Sequence, residues 1–193
     1  MQRIGLYGGS FDPVHLGHLL VAGAALEELQ LDRLLLIPAA RSPFKPSQEP
    51  APANLRVRML RLAFAGWDRC VVDLQEIERG GVSYTVDTLQ AVRERHPAAE
   101  LFYLIGGDHL PALPRWREAQ TLCRLAEFVA VPRPGQPVLS PPAGFRVRAL
   151  RGFPLALSSS EVRQRVRAGQ CQCLAPLVPP AVEEVIRNNA LYL

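Results

Sequence analysis

The succession of strand-like and helix-like segments predicts an α/β fold with a doubly wound, Rossmann-like and mainly parallel sheet of five or six strands. Residues 32–38 and 100–105 contain short, continuous apolar runs, which are typical of strands buried on both faces of a parallel sheet. The segments between such runs carry apolar residues at helical spacing, as the crossovers of a parallel sheet require. With 193 residues, of which 48% are apolar, the chain suffices for a single domain, residues 1–193, with helices at its C-terminal end.

The individual elements follow from the same patterns taken in chain order. Strands are predicted at residues 3–7, 32–38, 70–74, 100–105, 127–131 and 145–150. Helices are predicted at residues 15–29, 54–67, 86–95, 118–125, 159–168 and 180–191. In the second of these helices we expect Leu55, Met59, Leu62 and Ala63 to face the sheet. The loops after the strands should meet at one edge of the sheet, where open α/β sheets bind ligands.

Composition and charge limit the kinds of molecule that the protein is expected to bind. The net charge is only +4 and the basic residues are spread along the chain, which favours anionic small molecules over nucleic acid. No apolar stretch reaches the roughly 18 residues that cross a bilayer, and the N-terminus leads directly into a strand. We therefore expect a soluble, cytoplasmic protein that binds neither nucleic acid nor membrane, with four reduced cysteines. Whether the chain forms a homo-oligomer is left open.

The stretch from Gly8 to His18 joins the first predicted strand to the first predicted helix and has the pattern of a phosphate site. A helix N-terminus presents unpaired N–H groups and the positive end of the helix dipole to an anion. Gly8 and Gly9 allow the main chain to approach a ligand closely. His15 and His18, three residues apart, fall on the same edge of the helix and can face one phosphate chain together.

Other interpretations of this stretch have less support. An ordinary strand-to-helix turn would carry the two histidines by chance. A zinc site would need further ligands, and the other two histidines, His96 and His109, are not organised around it. The chain contains neither Gly-x-x-x-x-Gly-Lys-[Ser/Thr] nor Gly-x-Gly-x-x-Gly, which argues against a P-loop NTPase and a dehydrogenase.

The stretch resembles the signature of the nucleotidyltransferase superfamily, Gly-x-Phe-x-x-x-His-x-Gly-His. Every fixed position is matched, at Gly9, Phe11, His15, Gly17 and His18. The resemblance implies that the loop binds ATP phosphates and that His18, assisted by His15, stabilises charge on the α-phosphoryl group. The ATP-binding residues that it implies here are Gly8, Gly9, Ser10, Phe11, His15, Gly17 and His18.

A second motif, at residues 157–163, opens a predicted helix. Ser158 followed by Glu161 fits a helix capping box, and the run of hydroxyls with Arg163 one turn later fits an anion site. The motif resembles Ile-Ser-Ser-Thr-x-Ile-Arg of the same superfamily. The residues that would contact ATP are Ser158, Ser159, Ser160 and Arg163. We expect Arg163 to hold the β- and γ-phosphates, and the two motifs to lie on opposite sides of one crevice.

Further stretches make the chain similar to the bacterial nicotinate-nucleotide adenylyltransferases. They are residues 83–89, Ser-Tyr-Thr-Val-Asp-Thr-Leu; residues 105–110, Ile-Gly-Gly-Asp-His-Leu; and Trp116-Arg117. The loop from Pro38-Ala39 to Pro43-Phe44-Lys45 and the segment from Arg56 to Met59 match as well, so the resemblance covers nearly the whole chain. Three positions depart from the family, which usually has histidine, alanine and an aromatic or other residue there: Phe44, Gly107 and Arg117.

The family resemblance also implies roles on the acceptor side. Trp116 would stack on a pyridine ring, while Tyr84, Thr85 and main-chain N–H groups would receive its carboxylate. Arg117 would add a further acceptor contact. Lys45, the only lysine of the chain, would be either a phosphate clamp on a proline-rich loop or a solvated charge.

The resemblance thus implies transfer of the adenylyl group of ATP to nicotinate mononucleotide, giving deamido-NAD and pyrophosphate. Mg²⁺ would arrive with the ATP phosphates, since the sequence shows no dedicated protein site for it. Asp108 would contact ribose hydroxyls, and Gly106 would permit the close approach. Two alternatives stay open: another acceptor in the same fold, such as nicotinamide mononucleotide or phosphopantetheine, and a non-catalytic nucleotide sensor.

Overall fold

The strands and helices alternate along the part of the chain that the computed structural model describes, which is residues 1–44, 49–132, 140–152, 155–170 and 174–193. The strands are β1 (Arg3–Gly9), β2 (Arg33–Pro38), β3 (Cys70–Val72), β4 (Glu100–Gly106), β5 (Glu127–Val131) and β6 (Val147–Ala149). The helices are α1 (Leu16–Glu28), α2 (Ala53–Ala63), α3 (Gln75–Arg79), α4 (Thr85–Arg95), α5 (Ala119–Leu125), α6 (Ser159–Arg167) and α7 (Pro180–Asn188). A 3₁₀ helix covers Gly107–Arg115.

The strands form a parallel sheet in the order β3-β2-β1-β4-β5-β6. The chain adds β2 and β3 on one side of β1 and then returns to add β4 on its other side. The direction of winding therefore reverses between β1 and β4. Ligands of open α/β sheets bind at the carboxyl ends of the strands beside such a reversal. Those carboxyl ends are Gly9 of β1 and Gly106 of β4.

Helices cover both faces of the sheet, which explains why its central strands are apolar almost throughout. In β2, Leu34 and Leu36 belong to the core on one face, while Leu35 and Ile37 belong to the core on the other. The first core includes residues of α1, α2, α6 and α7, and the second includes residues of α4 and α5. The C-terminal helices therefore share one core with the first helix of the chain.

The predicted fold is confirmed, and the described sheet is parallel throughout instead of mainly parallel. Every predicted strand and helix is present, although several end a few residues early. The sequence patterns do not predict α3, which is a single short turn of helix, or the 3₁₀ helix, in which Pro111 and Pro114 argue against helix. None of the described helices is long and apolar enough to cross a membrane.

The expected inner face of α2 is wrong in part. Leu62 is 38% exposed. The buried positions of this helix are Arg56, Val57, Met59, Leu60 and Ala63. Helical spacing places Arg56 on the same face as Met59, Leu60 and Ala63. The buried face of α2 is therefore rotated relative to the predicted one. The prediction considered apolar residues alone and so left out the buried Arg56.

Candidate active site

The loop between β1 and α1 is anchored in the core at Phe11. This residue has a left-handed main chain, with a φ of 46°, and is 1% exposed. Its ring centroid lies 5.5 Å from that of Tyr7 and 5.0 Å from that of His18. A non-glycine residue persists in this conformation only where its surroundings determine it, and here the burial of the ring does so.

His15 and His18 stack at the first turn of α1. Their ring centroids are 3.7 Å apart, with 33° between the planes. The main-chain N–H of His15 donates to Nδ1 of His18 over 3.1 Å, and the N–H of His18 donates to the carbonyl of His15 over 2.8 Å. Because Nδ1 of His18 accepts a hydrogen bond, the neutral ring carries its proton on Nε2. His18 therefore keeps an Nε2–H donor for a ligand oxygen.

Burial keeps both imidazoles uncharged near neutral pH. It lowers the pKa of His15 from 6.5 to about 4. Burial, with a further contribution from His15, lowers the pKa of His18 well below 6.5. An anion beside the rings would raise both pKa values, because negative charge favours the imidazolium form. The pair can thus gain positive charge in response to a bound phosphate.

Two glycines of this stretch are required by packing within the protein. A Cβ on Gly17 would lie 3.0 Å from two atoms of the His15 ring, so glycine lets that ring fold against the main chain. A Cβ on Gly8 would lie 2.7 Å from the hydroxyl of Tyr103. A Cβ on Gly9 would meet an aromatic ring at 3.5 Å, which is an ordinary contact. At Gly8, a protein side chain already makes the close approach that we expected of a ligand.

The second motif, residues 158–163, binds directly to this loop. Ser158 caps α6 as predicted, because its Oγ accepts from the main-chain N–H of Glu161 over 3.2 Å. The Oγ of Ser159 donates to the carbonyl of Pro13 over 2.9 Å. We expected the two motifs to face each other across a crevice, but Ser159 at the start of α6 bonds directly to the loop that leads into α1.

Arg163 joins the two motifs and is 8% exposed. Its Nη1 donates to the main-chain carbonyl of Asp12 over 2.7 Å and lies 3.8 Å from the carboxylate of the same residue. Its Nη2 donates to the Oγ of Ser160 over 3.1 Å. In this structure the guanidinium therefore holds the loop, and the phosphate contact expected of Arg163 stays a prediction.

Two buried charges, Arg56 and Asp12, hold the remainder of the loop. Arg56 is 1% exposed and donates to three main-chain carbonyls, those of Ser10, Ala39 and Ala51. Asp12 is 3% exposed, and its Oδ1 accepts from the N–H of Ala51 and from the hydroxyl of Tyr192. Sequence reasoning missed these roles. Helical spacing to Met59 could have indicated that Arg56 is buried, whereas Asp12 stands at an unspecified position of the motif and no local pattern marks Tyr192.

On the β4 side, Tyr103 links the start of α4 to the end of β1. The Oγ1 of Thr85, the first residue of α4, donates to the hydroxyl of Tyr103 over 3.3 Å. The same hydroxyl fills the space beside Gly8. The guanidinium of Arg117 lies over the ring of Tyr84, 4.6 Å from its centroid. The buried side chain of Tyr103 thus connects the residues predicted to bind the acceptor with those predicted to bind ATP.

Trp116 follows the 3₁₀ helix and lies among aromatic rings. Its ring centroid is 5.3 Å from that of Phe44 and 6.3 Å from those of His109 and Phe128. The indole Nε1 is buried and has no hydrogen-bond partner within the described part of the chain. A buried donor in this state is a candidate for binding an acceptor atom of a ligand.

Comparison with known proteins identifies the family. Residues 6–165 match the model of the cytidylyltransferase-like family. Three relatives are named probable nicotinate-nucleotide adenylyltransferase: from Gemmatimonas aurantiaca (43% identity over 99% of this chain and 92% of the relative), Opitutus terrae (42%, 99% and 98%) and Thermus thermophilus (44%, 99% and 100%). The chain belongs to the nicotinate-nucleotide adenylyltransferase family.

Solved structures of other proteins have the same fold as this member of the nicotinate-nucleotide adenylyltransferase family. The Plasmodium falciparum nicotinic acid mononucleotide adenylyltransferase complexed with NaAD matches with a TM-score of 0.82 and 17% identity, over 100% of this chain and 98% of that one. A putative nicotinate-nucleotide adenylyltransferase from Vibrio parahaemolyticus matches with a TM-score of 0.72 and 18% identity, over 100% and 96%. At these identities the likeness concerns the fold.

The remaining residues implied by resemblance to nicotinate-nucleotide adenylyltransferases lie at the end of β4 and in the loop after β2. Asp108 is exposed in the first turn of the 3₁₀ helix. A Cβ on Gly106 would contact the Asp108 carboxylate, so this glycine makes room for that side chain. Lys45 lies outside the described residues.

Proposed function

We propose that this chain transfers the adenylyl group of ATP to nicotinate mononucleotide, giving deamido-NAD and pyrophosphate. The observation that carries the proposal is the stacked, uncharged pair of buried His15 and half-buried His18 at the N-terminus of α1, where a helix stabilises anions. The relatives that match almost end to end support the choice of acceptor, since they are named for nicotinate nucleotide.

In the chemical step, a phosphate oxygen of the acceptor attacks the α-phosphorus in line as the bond to the leaving pyrophosphate breaks, without a covalent enzyme intermediate. His18 donates its Nε2–H to a non-bridging α-phosphate oxygen, on which negative charge develops. His15, stacked against it, assists as the anion raises its pKa. A preorganised donor in a buried site stabilises this charge more than water does.

For ATP we propose a position along the N-termini of α1 and α6, with its magnesium ion held by phosphate oxygens. Both helix dipoles then act on the same triphosphate, because the start of α6 is bonded to the loop that leads into α1. Residues 8–11 and Gly17 line the α-phosphate. Residues 158–160 and Arg163 bind the β- and γ-phosphates, for which Arg163 exchanges its bond to Ser160 for a phosphate oxygen. Gly106 and Asp108 receive the ribose.

For the acceptor we propose a position between Trp116 and the start of α4. Trp116 offers an aromatic face to the electron-poor pyridine ring. Tyr84, Thr85 and the free N–H groups of the first turn of α4 receive the carboxylate. Arg117, whose guanidinium lies over the ring of Tyr84, adds positive charge beside them. Lys45 is assigned to the acceptor phosphate.

Parallel assays with different acceptors test the proposed reaction. Pyrophosphate release is measured with ATP and nicotinate mononucleotide, nicotinamide mononucleotide or phosphopantetheine. We expect release with the nicotinate nucleotide and a kcat/KM roughly tenfold or more lower with the amide. Equal values for acid and amide overturn the acceptor assignment. ATP binding without pyrophosphate release for any acceptor would instead favour a nucleotide sensor.

The His18→Ala variant tests the proposed chemistry. Loss of one preorganised donor should lower kcat by about 10² to 10³ with little change in folding. His96→Ala is a matched control, because His96 caps the far end of α4, and it should keep the wild-type rate. Turnover near that of the wild type in His18→Ala would remove His18 from the mechanism.

A further inference from the structure

Asp12 lies in the loop that precedes His15, and its buried carboxylate needs donors. Its Oδ1 accepts from the hydroxyl of Tyr192 over 2.8 Å and from the N–H of Ala51 over 3.1 Å. Burial and the carboxylate itself raise the pKa of Tyr192, so that its hydroxyl stays protonated and is the donor. The hydroxyl thus supplies one of two hydrogen bonds that compensate the desolvation of Oδ1.

The end of α7 directs Tyr192 to this position. The N–H of Leu191 donates to the carbonyl of Ile186 over 3.0 Å, and that of Ala190 donates to the carbonyl of Arg187 over 3.2 Å. This pair of bonds is a Schellman motif, with Ala190 in the left-handed region at a φ of 46°. Leu191 is 9% exposed and packs in the core that contains α1 residues. The turn is therefore fixed by both hydrogen bonds and packing.

We infer that Tyr192 is a positioning residue for adenylyl transfer, acting through Asp12 to hold the histidine loop in its reactive geometry. The inference rests on the proposed function. Asp12 is three residues from His15. Arg163 donates to its main-chain carbonyl, and the hydroxyl of Tyr192 donates to its carboxylate. Loss of the Tyr192 hydroxyl leaves the buried Oδ1 short of a donor, so the loop moves toward water. Small displacements of reacting groups lower kcat more than they affect binding of the acceptor, whose ring and carboxylate are proposed to bind at Trp116 and the start of α4.

Tyr192→Phe tests this inference, since it removes the hydroxyl and keeps the ring that packs against the core. We expect kcat to fall about tenfold with the KM for nicotinate mononucleotide within about twofold. Leu193→Ala, one residue further along and 81% exposed, is the control and should retain the wild-type kcat. In the Asp12→Asn background, adding Tyr192→Phe should cause little further loss, because both residues act in one contact.

A second measurement does not depend on activity. Nuclear magnetic resonance titration of the imidazoles should show the pKa of His15 moving from about 4 toward 6.5 in Tyr192→Phe, because the loop loses burial. A wild-type kcat in Tyr192→Phe, or a lower kcat with an unchanged His15 pKa, overturns the inference. Additive losses in the double variant overturn the route through Asp12. If the wild type releases no pyrophosphate, the proposed function fails, while the titration still decides whether Tyr192 positions the loop.

Discussion

Among single residues, His15 couples the stability of the fold to pH. Its pKa is about 4 in the folded chain and about 6.5 when unfolded, so the unfolded chain binds more protons between these values. The free energy of unfolding should therefore decrease as the pH falls from about 6.5 to about 4, by up to about 3 kcal/mol from His15 alone. Urea unfolding at a series of pH values measures this decrease.

His15→Asn should make that pH dependence less steep, because asparagine does not titrate, while His18, whose pKa is also lowered by burial, still contributes in the same direction. If His15→Asn loses stability toward pH 4 as steeply as the wild type, other groups account for the dependence.

Gly8 and Tyr103 allow a second prediction about residues, because they compete for the same space. In Gly8→Ala the new Cβ would lie 2.7 Å from the Tyr103 hydroxyl, so either the end of β1 or the tyrosine side chain must shift. We expect kcat to fall about tenfold. Adding Tyr103→Phe removes the clashing oxygen and leaves the nearest ring carbon 3.6 Å away, so the double variant should regain most of the rate. A double variant as slow as Gly8→Ala would indicate that the methyl group obstructs the ligand instead.

Among the helices, α6 and α7 end in the same motif with different residues. In α6 the left-handed position is Gly169, with a φ of 70°, whereas in α7 it is Ala190. Alanine pays a steric cost there of about 1 kcal/mol that glycine avoids. Ala190→Gly should therefore raise the Tm by about 2 to 4 °C, as measured by calorimetry. Ala168→Gly is the control, because Ala168 has a φ of −79° and should gain nothing. Equal shifts in both variants would contradict this account.

Another prediction concerns the segment that joins the 3₁₀ helix to α5. Arg117 forms ion pairs with Asp87 and Glu118 at 3.9 Å, which is longer than a hydrogen bond, while its guanidinium lies over Tyr84 at the start of α4. Its charge is thus placed to favour a carboxylate over an amide. Arg117→Gln should lower kcat/KM for nicotinate mononucleotide roughly tenfold and leave that for the amide unchanged. Arg115→Gln, at an exposed neighbouring position, should change neither value. Parallel losses for both acceptors would mean that Arg117 does not discriminate.

For the whole molecule, hydropathy patterns predict the sheet and most helices because each element has to bury its own apolar face. The glycines, the helix start and the two histidines predict Gly8 to His18 as a phosphate loop, because these features are adjacent in the chain. They do not predict that α6 begins against this loop, nor that Arg56 and Tyr192 hold it. Such contacts join side chains from distant elements, and their partners are main-chain carbonyls or a single carboxylate, which leave no local periodicity.

The bond between Asp12 and Tyr192 spans 180 residues and so has a consequence for the chain during its synthesis. At about 5 to 20 residues per second, a ribosome needs about 10 to 40 s to proceed from the one residue to the other. Throughout this interval, β1 and its histidine loop have left the ribosome or are leaving it, while the tyrosine does not yet exist. The nascent chain can build its first strands and α1 in that time, but the Asp12 carboxylate lacks its tyrosine donor until translation supplies it.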